Sequence, residues 1–147
     1  MIVGYSFFAG DLFHVGHLYQ LEQNEKHCDY LIAGLLTDKA IASYKRRPII
    51  PLEDRVRIFQ ALKVVDLVVV QRKRDPTPTL QALYDLGIKV DVLMHADDWS
   101  IETDLDMRNA KNWVEQHGGK LVQPPYWHEG ATTTKIINQI MGGKHEK

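Results

Sequence analysis

Cysteine is almost absent: Cys28 stands alone in 147 residues. A single thiol excludes an intramolecular disulfide and a cysteine-built zinc site, and it fits a reducing compartment. Long apolar runs are missing too. No stretch approaches the roughly 20 consecutive apolar residues of a membrane span, and the opening MIVGYSFF lacks the basic leader and small-residue cleavage pattern of a secretory signal. The expectation is a cytoplasmic chain with no membrane partner. Nor is there an excess of charge. The 18 Lys and Arg residues against 19 Asp and Glu leave a formal charge of −1, so any basic site must be local. The run Lys45-Arg46-Arg47 is too short, and too poor in interleaved aromatics, for a nucleic-acid face. Internal repeats and low-complexity linkers are also lacking.

What is present is a core and an alternation. With 44% hydrophobic residues the chain can bury one substantial core but not two, so residues 1–147 are expected to form one domain. Strand-like apolar runs occur at Ile2–Phe8, Tyr30–Leu36, Leu67–Val70, Val90–Met94 and Leu121–Val122. Helix-like stretches separate or follow them, at Gly16–Lys26, Leu52–Leu62, Thr79–Leu86, Asp104–His117 and Thr133–Met141. Strands that are continuously apolar, rather than alternating, are buried on both faces. The pattern therefore predicts an α/β fold, a Rossmann-like parallel sheet with helices on both faces. Such sheets bind ligands beyond the carboxyl ends of their strands, where the strand order reverses.

The segments on that rim are polar. They read GDLFHVGH after the first strand, TDKAIASYKRRP after the second, HADDW after the fourth and EGATTTK before the last helix. Together they supply imidazole, ammonium, guanidinium, carboxylate, hydroxyl and helix-start amide groups, an inventory suited to a triphosphate and a metal ion. His14 and His17 lie one turn apart at the start of the first helix, and Gly16 lets a ligand approach the backbone closely. The plain alternatives are that one imidazole caps the helix while the other packs, or that the pair holds a metal, for which no third ligand stands nearby.

These motifs, in this order from Asp11 to Ile140, resemble the HxGH nucleotidyltransferase superfamily. GDLFHVGH carries the HxGH signature, and DYLIAGLLTD, KRRP, VDVLMHADDW and EGATTTKI resemble its cytidylyltransferase branch, of which glycerol-3-phosphate cytidylyltransferases are typical. The resemblance implies transfer of a nucleotidyl group from a nucleoside triphosphate, CTP or else ATP, to a phosphorylated small molecule, releasing pyrophosphate. The nucleophile is a phosphate oxygen, ionised at neutral pH because its second pKa is about 6, so no general base is required. By the same resemblance His14 and His17 hold the triphosphate, with Mg²⁺ bridging its oxygens, and Lys45 and Arg47 reach over the phosphates from a mobile loop. Ala9, Gly10, Asp11 and Gly16 belong to the turn around the phosphates, and Asp38 contacts the phospho-alcohol. Arg55 matches a helix-start arginine, Asp98 and Trp99 face the nucleotide, and Thr132, Thr133 and Thr134 offer hydroxyls and amides at a helix start. A homodimer is the family habit. Simpler roles stay open: a solvated KRR run, helix capping by Asp38 or a threonine, and a core role for Trp99.

Three departures touch this pocket. FAGD (Phe8 to Asp11) replaces a GTFD-type turn, Trp127 stands where an arginine usually precedes the EG pair, and His95-Ala96 replaces a methionine-glycine pair. They bear on the acceptor, for which glycerol, choline, ethanolamine and other polyol phosphates and phosphonates are candidates, and to a lesser degree on the base. An adenylyltransferase of the same superfamily acting on a phosphorylated sugar, pantetheine or flavin precursor is the nearest alternative. A non-catalytic nucleotide-binding module is the next.

Overall fold

The computed structural model describes residues 1–98, 100–127, 130 and 132–142. Among these residues five parallel strands form one sheet: β1 (Val3–Phe8), β2 (Tyr30–Leu36), β3 (Leu67–Gln71), β4 (Val92–Met94) and β5 (Lys120–Val122). Six helices accompany them: α1 (Val15–Glu25), α2 (Asp38–Ala42), α3 (Leu52–Gln60), α4 (Thr77–Asp85), α5 (Leu105–Gln116) and α6 (Thr133–Ile140). The order across the sheet is β3-β2-β1-β4-β5. The chain thus builds outward from β1 to one edge, then returns to the other side of β1 through β4. That reversal opens a crevice above the carboxyl ends of β1 and β4.

The two faces of the sheet bury separate clusters. On one face Leu31, Ala33, Leu35 and Met94 pack with Leu21 of α1 and Phe59 of α3. On the other, Tyr5, Phe7, Ile32, Leu36 and Leu93 pack with Ile41 of α2, Leu80 of α4 and Trp113 of α5. Each large apolar side chain fully removed from water contributes about 1.5–3 kcal/mol, which outweighs the 0–1 kcal/mol typical of a surface ion pair. The continuous apolar runs of the sequence are continuous because both faces of each inner strand meet a helix layer.

The helix starts follow local chemistry. Thr37, Asp104 and Thr132 are N-caps whose side chains accept an amide of the first turn, from Ala40, Met107 and Lys135 respectively. Pro51 precedes α3, where its missing N–H costs nothing. One element escapes the apolar pattern. The five residues of α2 are too few to show a helical period, and the segment after β2 reads as a polar loop in the sequence.

Candidate active site

At the switch point a cavity of about 400 Å³ opens between the ends of β1, β2 and β4. Ser6 to Ala9 form its floor; His14, Gly16, His17 and Gln20 wall it from α1, and Tyr44, Lys45 and Arg46 from the segment after α2. The far wall is His95, Ala96 and Asp98 after β4 with Tyr126 and Trp127 after β5, and Thr132, Thr133 and Thr134 close it from the start of α6. Two amide contacts align the exits of β4 and β5: His95 N donates to Val122 O (3.1 Å) and Asp97 N to Pro124 O (3.1 Å).

The turn between β1 and α1 fixes both imidazoles. Gly10 takes φ +69°, and a Cβ there would lie 2.7 Å from the Phe59 ring, so only glycine fits. His14 is the N-cap of α1: Gly16 N–H donates to His14 Nδ1 (3.0 Å), and His14 N–H donates to His17 Nδ1 (3.2 Å). The rings stack with centroids 3.9 Å apart. Because each Nδ1 accepts a backbone proton, each neutral ring carries its proton on Nε2. Burial holds His14 below the usual imidazole range. Burial chiefly, then the charges of His14 and Lys45, push His17 down to about 3, against an upward pull from Asp11. Both are therefore neutral Nε2–H donors at pH 7. His14 Nε2 lies 3.1 Å from Thr133 Oγ1, and that hydroxyl in turn donates to Asp11 O (3.0 Å). Both ring nitrogens of His14 are thus engaged, Nδ1 as the helix cap and Nε2 with Thr133, and a ligand reaching Nε2 takes the place of that hydroxyl.

The sequence-predicted residues separate into two groups. Ala9, His14, Gly16, His17, Lys45, Asp98, Thr132, Thr133 and Thr134 line the cavity. Gly10, Asp11, Asp38, Arg47 and Arg55 do not, and Trp99 lies outside the described residues, as do Glu129 and Ala131 of the EGATTTKI segment. Asp11 spends its carboxylate on the amides of Ile49 and Ile50 (2.9 Å each), which ties the segment after Lys45 to the β1–α1 turn. Arg55 is fully buried and donates to Ile50 O (2.9 Å), Ala9 O (2.7 Å), Leu36 O (2.8 Å) and Asp38 Oδ1 (2.6 Å). These three side chains frame the pocket from behind.

Other residues enter that sequence reasoning did not select. Arg46 rather than Arg47 lines the cavity, and Gln20, Tyr44 and Tyr126 join it. The exposed polar run around residue 46 has no periodicity that distinguishes neighbouring arginines. Gln20 does carry a signal, since it lies one helical turn beyond His17 on the same face of α1. The departures His95 and Trp127 also line the wall. Burial, with help from the Arg74 charge, pushes His95 down to about 4.

Among the described residues no three His, Cys, Asp or Glu side chains cluster as metal ligands.

A switch-point cavity walled by two imidazoles, a lysine, an arginine and a helix start is suited to a phosphate-bearing ligand. The pattern of the cytidylyltransferase-like family matches residues 9–139, and the chain belongs to that family. The bifunctional protein HldE of Acidiphilium cryptum is 32% identical over 140 residues, covering 94% of this chain and 27% of the relative. HldE of Syntrophotalea carbinolica is 33% identical over 133 residues, covering 89% of this chain and 25% of the relative. This chain therefore spans about a quarter of the length of the curated relatives it matches. A lipopolysaccharide core biosynthesis protein from Thermoplasma volcanium superposes with a TM-score of 0.70 at 22% identity, over 86% of this chain and 98% of that one. Pantoate-beta-alanine ligase from Francisella tularensis, complexed with beta-gamma ATP and beta-alanine, superposes with a TM-score of 0.52 at 14% identity, over 96% and 70%. Both share the fold.

Proposed function

We propose that this nucleotidyltransferase joins ATP to a sugar phosphate, forming a nucleoside diphosphate sugar and pyrophosphate. An ionised oxygen of the acceptor phosphate attacks the α-phosphorus in line; the new P–O bond forms as the bond to the pyrophosphate oxygen breaks. No proton is removed from the nucleophile, so binding, orientation and charge stabilisation supply the catalysis. His17 donates its Nε2–H to an oxygen of the triphosphate, and His14 does so by exchanging its bond to Thr133 Oγ1 for one to the ligand. Thr134 presents its hydroxyl, and the first turn of α6 its amides, to the same anion. Lys45 and Arg46 close over the phosphates from the opposite wall; Mg²⁺, if bound with the triphosphate, would supply further charge neutralisation.

The observation that carries this reading is the pair of neutral imidazoles locked by backbone amides as Nε2–H donors at the switch point. Support for ATP comes from the beta-gamma ATP complex of the Francisella neighbour. The relatives along nearly the whole chain also bear the name HldE rather than that of a cytidylyltransferase. Support for a sugar phosphate comes from the Thermoplasma neighbour's role in lipopolysaccharide core biosynthesis. CTP is the second reading, favoured by the family's description and by the rim motifs. The test is pyrophosphate release with ATP and with CTP against a panel of sugar phosphates and phospho-alcohols. Turnover with ATP and a sugar phosphate is expected. Turnover confined to CTP would replace the donor, and turnover confined to a phospho-alcohol would replace the acceptor.

A further inference from the structure

We propose that Arg74, which lies outside the cavity, is a positioning residue for Lys45 and acts through the ring of Tyr44. The inference rests on the phosphate role given to Lys45 above. Arg74 follows β3 and is fixed at both ends. Its guanidinium grips Asp104 through two bonds (Nη2 to Oδ2 2.6 Å, Nη1 to Oδ1 2.9 Å) and reaches Asp106 Oδ2 (3.0 Å), both at the start of α5. Its carbonyl accepts from Gln71 Nε2 (3.2 Å), whose Oε1 accepts from the buried Tyr5 hydroxyl (2.5 Å). A planar fork held in this way is a rigid platform.

Tyr44 rests against that platform. The Arg74 Cζ lies 5.4 Å from the Tyr44 ring centroid, and the Lys45 Nζ lies 5.5 Å from the same centroid. Both distances fall within cation–π range. Two carboxylates offset the Arg74 charge, so the second cation meets no net repulsion from the first. The segment carrying Lys45 leaves α2 through the amides of Tyr44 and Lys45, which donate to Ile41 O (3.2 and 3.1 Å), passes Arg46, whose Nη2 lies 3.8 Å from Asp11 Oδ2, and is tied down again where Asp11 takes the Ile49 and Ile50 amides. Between those ties the Tyr44 ring sets where the ammonium stands. Burial and the neighbouring Arg46 charge, opposed by Asp11, hold Lys45 below the usual lysine range, as for an ammonium kept against a wall.

The test is a double-mutant cycle read by calorimetric titration with Mg·ATP and Mg·CTP, taking the tighter binder. Lys45→Met should weaken binding on the order of 10-fold, and Arg74→Gln and Tyr44→Leu about 5-fold each in the Lys45 background. In the Lys45→Met background the same two changes should cost less than about 1.5-fold, because their effect travels through the ammonium. Tyr44→Phe, which keeps the ring, should restore most of what Tyr44→Leu loses. Should Arg74→Gln loosen α5, the Tyr44 pair still decides, since it leaves the Asp104 and Asp106 bonds intact. Equal losses in both backgrounds, or Tyr44→Phe as damaging as Tyr44→Leu, would overturn the positioning role while leaving the Lys45 reading in place. A silent Lys45→Met would overturn both.

Discussion

The two walls of the cavity are built on different scales. The α1 wall is set chiefly by neighbours in the chain: the bonds at the Nδ1 atoms of its imidazoles span two and three residues, and only His14 Nε2 reaches a distant partner, Thr133. The wall of Tyr44, backed from outside the cavity by Arg74, is assembled from afar. Arg74 meets its carboxylates across 30 and 32 residues, and Gln71 meets Tyr5 across 66. Local bonds form with the helix that contains them, whereas distant ones exist only after the sheet has aligned its strands. The α1 wall should therefore resist loosening of the fold better than the opposite wall does.

The largest test of this contrast lies behind both walls. Arg55→Leu removes a buried guanidinium and leaves the carbonyls of Ala9, Leu36 and Ile50 without their donor. A loss of about 3–5 kcal/mol in urea unfolding is expected, as for a broken buried charge network. A ligand contact alone would instead weaken nucleotide binding at unchanged stability.

On the α1 wall the loss should be chemical rather than structural. His17→Ala should lower kcat on the order of 10²-fold, the usual effect of deleting one preorganised donor, with little change in Tm. His14→Ala should lower kcat comparably and also cost about 1 kcal/mol as a lost helix cap. Pyrophosphate release and thermal melts separate the two effects; near-normal turnover in both variants would remove these residues from the chemistry.

Gly16→Ala probes how tightly that wall is set. The added Cβ would lie 2.7 Å from Trp127 Cδ1 and 2.8 Å from His14 Cε1, so a ring must move. Displaced donors lose rate steeply, and a decrease of about 10-fold in kcat is expected. Wild-type kcat would mean that the turn yields at no cost to alignment.

A separate test concerns acid stability. His17 and His95 titrate near 3 and 4 in the fold against a usual 6.5, so the unfolded chain takes up more protons as pH falls below 6.5. Their neutral burial carries no penalty above pH 6.5, and stability declines as pH drops from there towards 4. The measurement is Tm against pH, which should slope upward over that window. His95→Gln should flatten the slope; an unchanged slope would place the dependence elsewhere.

The sequence by itself determined the parallel α/β architecture, the five strand positions, and the imidazole pair at the end of β1. It did so because apolar continuity, caps and HxGH spacing are properties of neighbouring residues. That one of the two imidazoles could cap the helix was also legible, and the structure assigns the cap to His14. Only the tertiary structure decided that Asp11, Asp38 and Arg55 turn to backbone and to one another, behind the pocket. It also placed Arg46 instead of Arg47 on the wall, and Arg74 beneath Tyr44. A buried charge must find partners wherever the fold brings carbonyls and carboxylates together, and those partners lie on other strands and loops, at separations no local pattern records.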